Sequence, residues 1–326
     1  MRAQVSVPRG PGAESPRIAL SATRSVPLVS IGIPTYNRPV GLARTLKYIT
    51  QQTYKNLEIL VSDNCSPDPE VQQVVARFCA GDSRVKYFRQ EENLGPSQNF
   101  QFVLQRATAD YFMWAADDDH WEPGFIAALV TLLEAQPECV LAFCDFDAIN
   151  AAGERIESYP DFLPQMMDYS GRSLSIRLHR YLAQDEAQGK ANLMYGLYRR
   201  TTLLAAGGIK IWGLGTWGAD MLITFRILSI GDLALCPDLL FHVGVGDRAA
   251  SAAFAENTEC NRKPLWTKSK RVLQVAKGLC SRFGYYVGYI RITLIATGLT
   301  KWERISLVQL ALARFFFNAK KRSALR

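Results

Sequence analysis

The chain has 326 residues, 48% of them apolar and 21% charged, which suffices for a substantial core and excludes a wholly disordered polymer. A net charge of +8 favours an anionic counterpart, whether nucleic acid, a lipid surface or a phosphorylated small molecule. Seven cysteines, an odd number without a CxxC pair, speak against a disulfide framework or a zinc site and for a reducing compartment.

Residues 1–27 are rich in Pro, Ser, Gly and Arg and lack a secretory h-region, so they read as a disordered leader. From Leu28 short apolar runs alternate with helical spacing, the signature of βαβ units around a mostly parallel sheet. Leu28–Ile33 is the first expected strand, ending in Pro34-Thr-Tyr-Asn-Arg-Pro39, and Leu42, Leu46 and Ile49 follow at helical spacing. Leu57–Val61 is the second strand. Asp68 caps the next helix with Pro69 at its first position, and Val71, Val74, Val75 and Phe78 form its apolar face. Val85–Phe88 is a third strand; a turn at Asn93–Pro96 leads into a helix with Phe100, Val103, Leu104 and Ala107 on one face.

The run Tyr111–Ala115 then stops in three consecutive carboxylates, Asp117, Asp118 and Asp119. Adjacent anions repel, which is tolerable on a solvated turn or around a hard cation such as Mg²⁺ or Mn²⁺. Both readings stay open on this stretch alone. A helix is expected from Glu122-Pro123 and a fifth strand over Val140–Phe146, which completes a doubly wound half-domain at about residue 150.

Beyond it, Ala151–Glu154 reads as a hairpin turn, and the stretch to Lys190 as irregular because Pro160 and Pro164 interrupt it. Leu193–Tyr198 reads as a strand, and Thr201–Ala206 as a short helix ended by Gly207-Gly208. A glycine-rich loop with Trp212 and Trp217 leads to Asp220 at the start of a helix over Met221–Ile230, where an acid also suits the helix dipole. Residues 251–326 form a basic, apolar, helical tail. Arg291 sits in the middle of its longest apolar run, so an interfacial helix pair is favoured over a membrane span.

Taken in order, Pro34-Thr-Tyr-Asn37, Asp63, Asn93-x-Gly95 with Asn99, the acidic triplet and Trp217-Gly-Ala-Asp220 resemble the inverting family 2 glycosyltransferases over about two thirds of the chain. The resemblance implies a GT-A fold across 28–250, with 28–150 as the nucleotide-sugar half and 151–250 as the acceptor half. It implies that Pro34, Thr35, Tyr36, Asn37, Asp63, Asn99, Asp117 and Asp118 bind the donor. Asp117, Asp118 and Asp119, with His242, would hold a divalent cation, Asp220 would be the general base, and Trp212 and Trp217 would meet the acceptor. Where many members have two acids before Gly-Ser, this chain has Ser62-Asp63, and Ala116 stands where many have the first acid of the metal motif. Joined to the basic tail, the resemblance implies a cytoplasmic enzyme on the inner membrane face. It would take a nucleotide-diphosphate sugar to a glycan or lipid-linked glycan in bacterial polysaccharide or lipopolysaccharide assembly, with no nucleic-acid partner. The alternatives are a nucleotidyltransferase on a similar sheet and a non-catalytic membrane-tethered scaffold.

Overall fold

Continuous apolar runs bounded by Pro, Gly and Asp make the first half of the molecule a stack of fully buried strands. In the computed structural model, which describes residues 26–150, 152–210, 218–244 and 270–323, β1 (Val29–Thr35), β2 (Leu57–Asp63) and β4 (Tyr111–Trp114) are buried at every position. β3 (Val85–Arg89), at the sheet edge, is buried only at Val85. They pair in parallel in the order β3-β2-β1-β4, with α1 (Pro39–Thr50), α2 (Pro69–Gly81) and α3 (Pro96–Arg106) in the connections. All three helices carry Pro in their first turn, where the missing N–H costs nothing, and Asp68 accepts the Glu70 N–H at 2.9 Å as α2's cap.

The second half of the sheet is mixed. β8 (Leu197–Arg199) lies antiparallel between β4 and β6 (Cys139–Ile149), so the expected fifth strand is not next to the fourth. β9 (Asp232–Gly244) runs parallel to β6, and two residues, His120–Trp121 (β5), pair antiparallel with its far end. β7 (Arg155–Ser158) closes a hairpin on β6 through Gly153, which sits at φ +82°.

Several expected boundaries move. The helix expected from Glu122-Pro123 begins at Phe125 (α4, Phe125–Ala135), because the Glu122 N–H continues the ladder by donating to Leu240 O at 3.0 Å. The stretch expected to be irregular contains α5 (Phe162–Tyr169) and α6 (Leu174–Ala183); Pro164 falls in α5's first turn, where it breaks no helical hydrogen bond. The strand expected over Leu193–Tyr198 is a 3₁₀ helix, Lys190–Tyr195, followed by β8. α7 (Arg200–Ala205) and α8 (Ala219–Leu228) stand near their expected places.

The described part of the C-terminal tail is a helical hairpin, α9 (Lys270–Ile295) and α10 (Lys301–Ser323), packed on α6 and α8. Tyr285, Tyr289, Ile292 and Ala296 recur at helical spacing and are all buried, so α9 turns one apolar face to the domain. The Arg314 guanidinium donates to Gln184 O at 3.1 Å, and His179 Nε2 lies 2.9 Å from Ser306 Oγ. Among the described residues no helix is long and apolar enough to cross a membrane.

Candidate active site

The acidic triplet leaves the carboxyl end of β4, where the strand order turns from parallel to mixed. Two glycines let neighbouring backbone close on it: a Cβ at Gly41 of α1 would stand 2.1 Å from Asp117 O, and one at Gly244 of β9 would stand 2.1 Å from Asp118 O. The three side chains then face different surroundings. Asp117 is buried and accepts from the Thr35 hydroxyl at 2.8 Å and from Arg38 Nη1 at 2.7 Å. Burial pushes its carboxyl up to about 6 even though Arg38 pulls it down. Asp118 is partly exposed and shares the same Arg38 nitrogen at 2.9 Å. Asp119 is buried; its Oδ1 accepts the Gly244 N–H at 2.9 Å, while its Oδ2 has no hydrogen-bond partner among the described residues, and burial followed by the charge of Asp118 holds its carboxyl well above the usual range.

Beside the triplet opens a cleft of about 600 Å³ walled by Arg38, Arg44, Tyr48, Asp117, Asp118 and His120, with the β6–β7 turn opposite. Its polar mouth and basic residues suit an anionic ligand. Among the described residues no group of three or more His, Cys, Asp or Glu converges to hold an ion by itself. An ion here would need ligand oxygens from elsewhere, which is how Mg²⁺ is often held between one or two carboxylates and a phosphate. The triplet fits that arrangement, since a buried carboxylate oxygen without a partner, Asp119 Oδ2, calls for a cation or donor.

His242, expected as an ion ligand, sits between two carboxylates. Its Nδ1 lies 2.5 Å from Asp147 Oδ1 and its Nε2 3.1 Å from Glu122 Oε1, so both ring nitrogens are engaged. The cause is register: β9 places His242 opposite Asp147 on one side and His120 on the other. His120 in turn stacks on Tyr48 with ring centroids 3.9 Å apart, and burial, then the neighbouring His242, lowers its pKa.

At the far end of β1 and β2 the expected donor-binding residues divide. Pro34 and Thr35 are buried within β1, and Thr35 is spent on Asp117. Tyr36 is half-buried and Asn37 exposed; Asn37 has φ +56°, its N–H donates to Ser66 Oγ at 2.8 Å, and it lines the cleft. Asp63, expected among the donor-binding residues, is fully buried and accepts from Ser66 N at 2.8 Å, Tyr87 Oη at 2.8 Å and Arg89 Nη1 at 2.7 Å. It braces the 64–66 turn and β3. Burial, then the hydrogen bond to Asp63, raises the Tyr87 phenol to about 12. Asn99 is likewise internal: Ser62 Oγ donates to its Oδ1 at 2.6 Å, and its Nδ2 donates to Ser62 O at 3.0 Å. Both residues thus shape the strand ends.

The second pole is Asp220, in the first turn of α8 behind Gly218, whose φ of +75° turns the chain into the helix. Asp220 Oδ1 accepts the Met221 N–H at 2.8 Å, and burial raises its carboxyl pKa while the buried Lys190 ammonium opposes the rise. Tyr195 feels the charge of both poles. Burial lifts its phenol well above its usual value, and the charges of Asp119, Asp118, Asp220 and Asp117 all add to that lift. Neither Tyr195 nor Arg38 stands out in the sequence, because the first lies in a 3₁₀ turn that reads as strand and the second is one cation among many. Trp212 and Trp217 lie outside the described residues.

Residues 30–184 match the family model for Glycosyl transferase family 2. A glucosyltransferase of Campylobacter jejuni, described as GalNAc(5)-diNAcBac-PP-undecaprenol beta-1,3-glucosyltransferase, is 36% identical over 106 residues, 32% of this chain and 34% of that protein. The chain spans less than half the length of the curated relatives it matches first. Among solved structures, S. aureus TarS 1-349 with UDP superposes with a TM-score of 0.61 at 14% identity, over 89% of this chain and 72% of that one. The mannosyltransferase PcManGT of Pyrobaculum calidifontis, with GDP-Man and Mn²⁺, gives 0.51 at 17% identity, over 90% and 88%.

Proposed function

Given that the chain belongs to glycosyl transferase family 2 and has the GT-A fold, we propose that it moves a sugar from a nucleotide-diphosphate sugar to a hydroxyl of a glycan or lipid-linked glycan, with inversion at the anomeric carbon. The observation that carries this reading is the triplet at the end of β4, which lines an open cleft and keeps a buried carboxylate oxygen, Asp119 Oδ2, without a hydrogen-bond partner among the described residues.

Asp118, exposed to the cleft, and Asp119, through Oδ2, are the carboxylates with lone pairs left for a Mg²⁺ or Mn²⁺ ion. Such an ion, when bound with the donor, neutralises charge developing on the departing diphosphate. Asp117 is the group that orients Thr35 and Arg38. Arg38, at the cleft wall, pairs with a donor phosphate once it leaves the two aspartates. Asp220 accepts the acceptor's hydroxyl proton while that oxygen bonds to the anomeric carbon and the bond from that carbon to the diphosphate breaks. A raised carboxyl pKa suits this task because it brings the base nearer the working pH.

The acceptor class is drawn from relatives such as the glucosyltransferase named for a PP-undecaprenol-linked glycan, and on this reading the reaction belongs to the cytoplasmic face of a membrane, in surface-polysaccharide assembly. Incubation with UDP-, dTDP- and GDP-sugars, with Mg²⁺, Mn²⁺ or chelator, tests the reading. Metal-dependent binding or hydrolysis of one donor is expected, and indifference to the whole panel would overturn it.

A further inference from the structure

The C-terminal hairpin has two faces, and the domain uses one. On α10 the residues turned away from the domain are Trp302, 76% exposed, then Ile305, Leu312 and Phe316, 61% exposed. Their spacing of three, seven and four residues keeps them on a single stripe. On α9 Phe283 and Leu294 are 47% and 58% exposed and lie on one stripe of that helix. The stripes meet at one end where Phe283 packs on Phe315, with ring centroids 5.7 Å apart, and at the other in the turn between Ile295 and Lys301.

An apolar face of this extent on a soluble protein needs a covering partner, and charge selects which one. From Arg262 to Arg326 the sequence has fifteen Lys and Arg and a single acid, Glu303. Glu303 is itself committed to the turn, accepting the Thr300 N–H at 2.7 Å. Two copies of such a segment placed face to face would set like charges together, whereas anionic headgroups oppose it with the complementary sign. An apolar stripe bearing Trp and Phe on a basic helix is the composition that lies in a membrane interface. Neither described helix is apolar enough to cross.

We propose that the outer face of the α9–α10 hairpin docks on an anionic lipid surface and lies in its headgroup layer. The inner face of α9 then fixes what the membrane presents to the enzyme. Tyr285 is buried against Gly218, where an added Cβ would fall 2.4 Å from its ring, and its hydroxyl lies 3.3 Å from Met221 Sδ, one residue after Asp220. The helix seated on lipid is thus the helix that backs the turn before Asp220, and a lipid-linked acceptor would arrive on that side. This last step rests on Asp220 being the base; lipid binding itself does not, and is measured without donor or acceptor.

The test is co-sedimentation of the full chain with phosphatidylcholine vesicles, with and without phosphatidylglycerol. The Leu294→Ser/Trp302→Ser double variant is compared with the parent, with circular dichroism and melting confirming that both are folded. The parent should bind the phosphatidylglycerol vesicles and release as salt rises; the double variant should bind about tenfold or more weakly, since two large apolar side chains no longer leave water. Failure of the parent to bind, or equal binding by both proteins, overturns the proposal. So does a parent dimer in sedimentation velocity that the double variant converts to monomer, because a second copy would then be what covers the face.

Discussion

Replacing Arg38 by Met strips Asp117 and Asp118 of the guanidinium they share, and the loss can be bounded. Breaking a buried pair typically costs about 3–5 kcal/mol when the stranded charge has no way out. Asp117 has one: its carboxyl already stands at about 6, so at pH 7 the variant's worst outcome is to take up a proton. One pH unit separates those values, which caps the added cost at about 1.4 kcal/mol. The partly exposed Asp118 pair adds about 0–1 kcal/mol. The sign with pH follows from a folded pKa raised above the ordinary 3.8: the ionised carboxyl weighs against the fold above about pH 6, and that burden lifts as pH falls toward 4. At pH 5 Asp117 is mostly protonated in both folded proteins and its share of the difference closes. Urea unfolding in chelator should therefore show Arg38→Met destabilised by about 1.5–2.5 kcal/mol at pH 7 and by under about 1 kcal/mol at pH 5. A loss of about 3 kcal/mol or more that is equal at both pH values would refute this reasoning and make Arg38 a packing element.

Asp119→Asn, which removes the negative charge beside the unpartnered Oδ2, should abolish the gain in donor affinity that Mn²⁺ confers and leave metal-free affinity unchanged in calorimetry; an intact Mn²⁺ effect contradicts the assignment of that oxygen. Gly218→Ala meets both φ +75° and the Tyr285 ring, and should cost about 1–3 kcal/mol in thermal unfolding. Gly124→Ala, where no atom lies within 4 Å of the added Cβ, serves as the neutral control. In a pH profile, kcat/KM should rise as Asp220 ionises, with an acid limb centred above the ordinary carboxylate value because burial raises its pKa. A limb at or below 3.8 would contradict a desolvated base.

What could be read without coordinates was local. β1, β2 and β4 are buried at every position and therefore appear as uninterrupted apolar runs, and the helices between them announce themselves through Pro39, Pro69 and Pro96. The positions of the acidic triplet and Asp220 at element ends could be read for the same reason, since each adjoins an element whose pattern is clear. Long-range pairing leaves no such trace. Three residues, Leu197–Arg199, insert antiparallel between β4 and β6, and nothing in so short a run separates that insertion from an edge position. The surroundings of His242 leave no trace either, because its register against Asp147 and His120 is set by residues almost a hundred positions away or more. Asp63 and Asn99 carry polar types at strand and helix ends, and nothing in the sequence shows the partners the fold gives them, Arg89, Tyr87 and Ser62.

The central claim is that the triplet serves the donor and Asp220 serves the acceptor. Asp220→Asn separates the two in one protein: donor affinity by calorimetry with Mn²⁺ should match the parent, while sugar transfer falls by about 10²–10⁴-fold. Transfer by Asp220→Asn at the parental rate, or loss of donor binding together with transfer, would contradict the account.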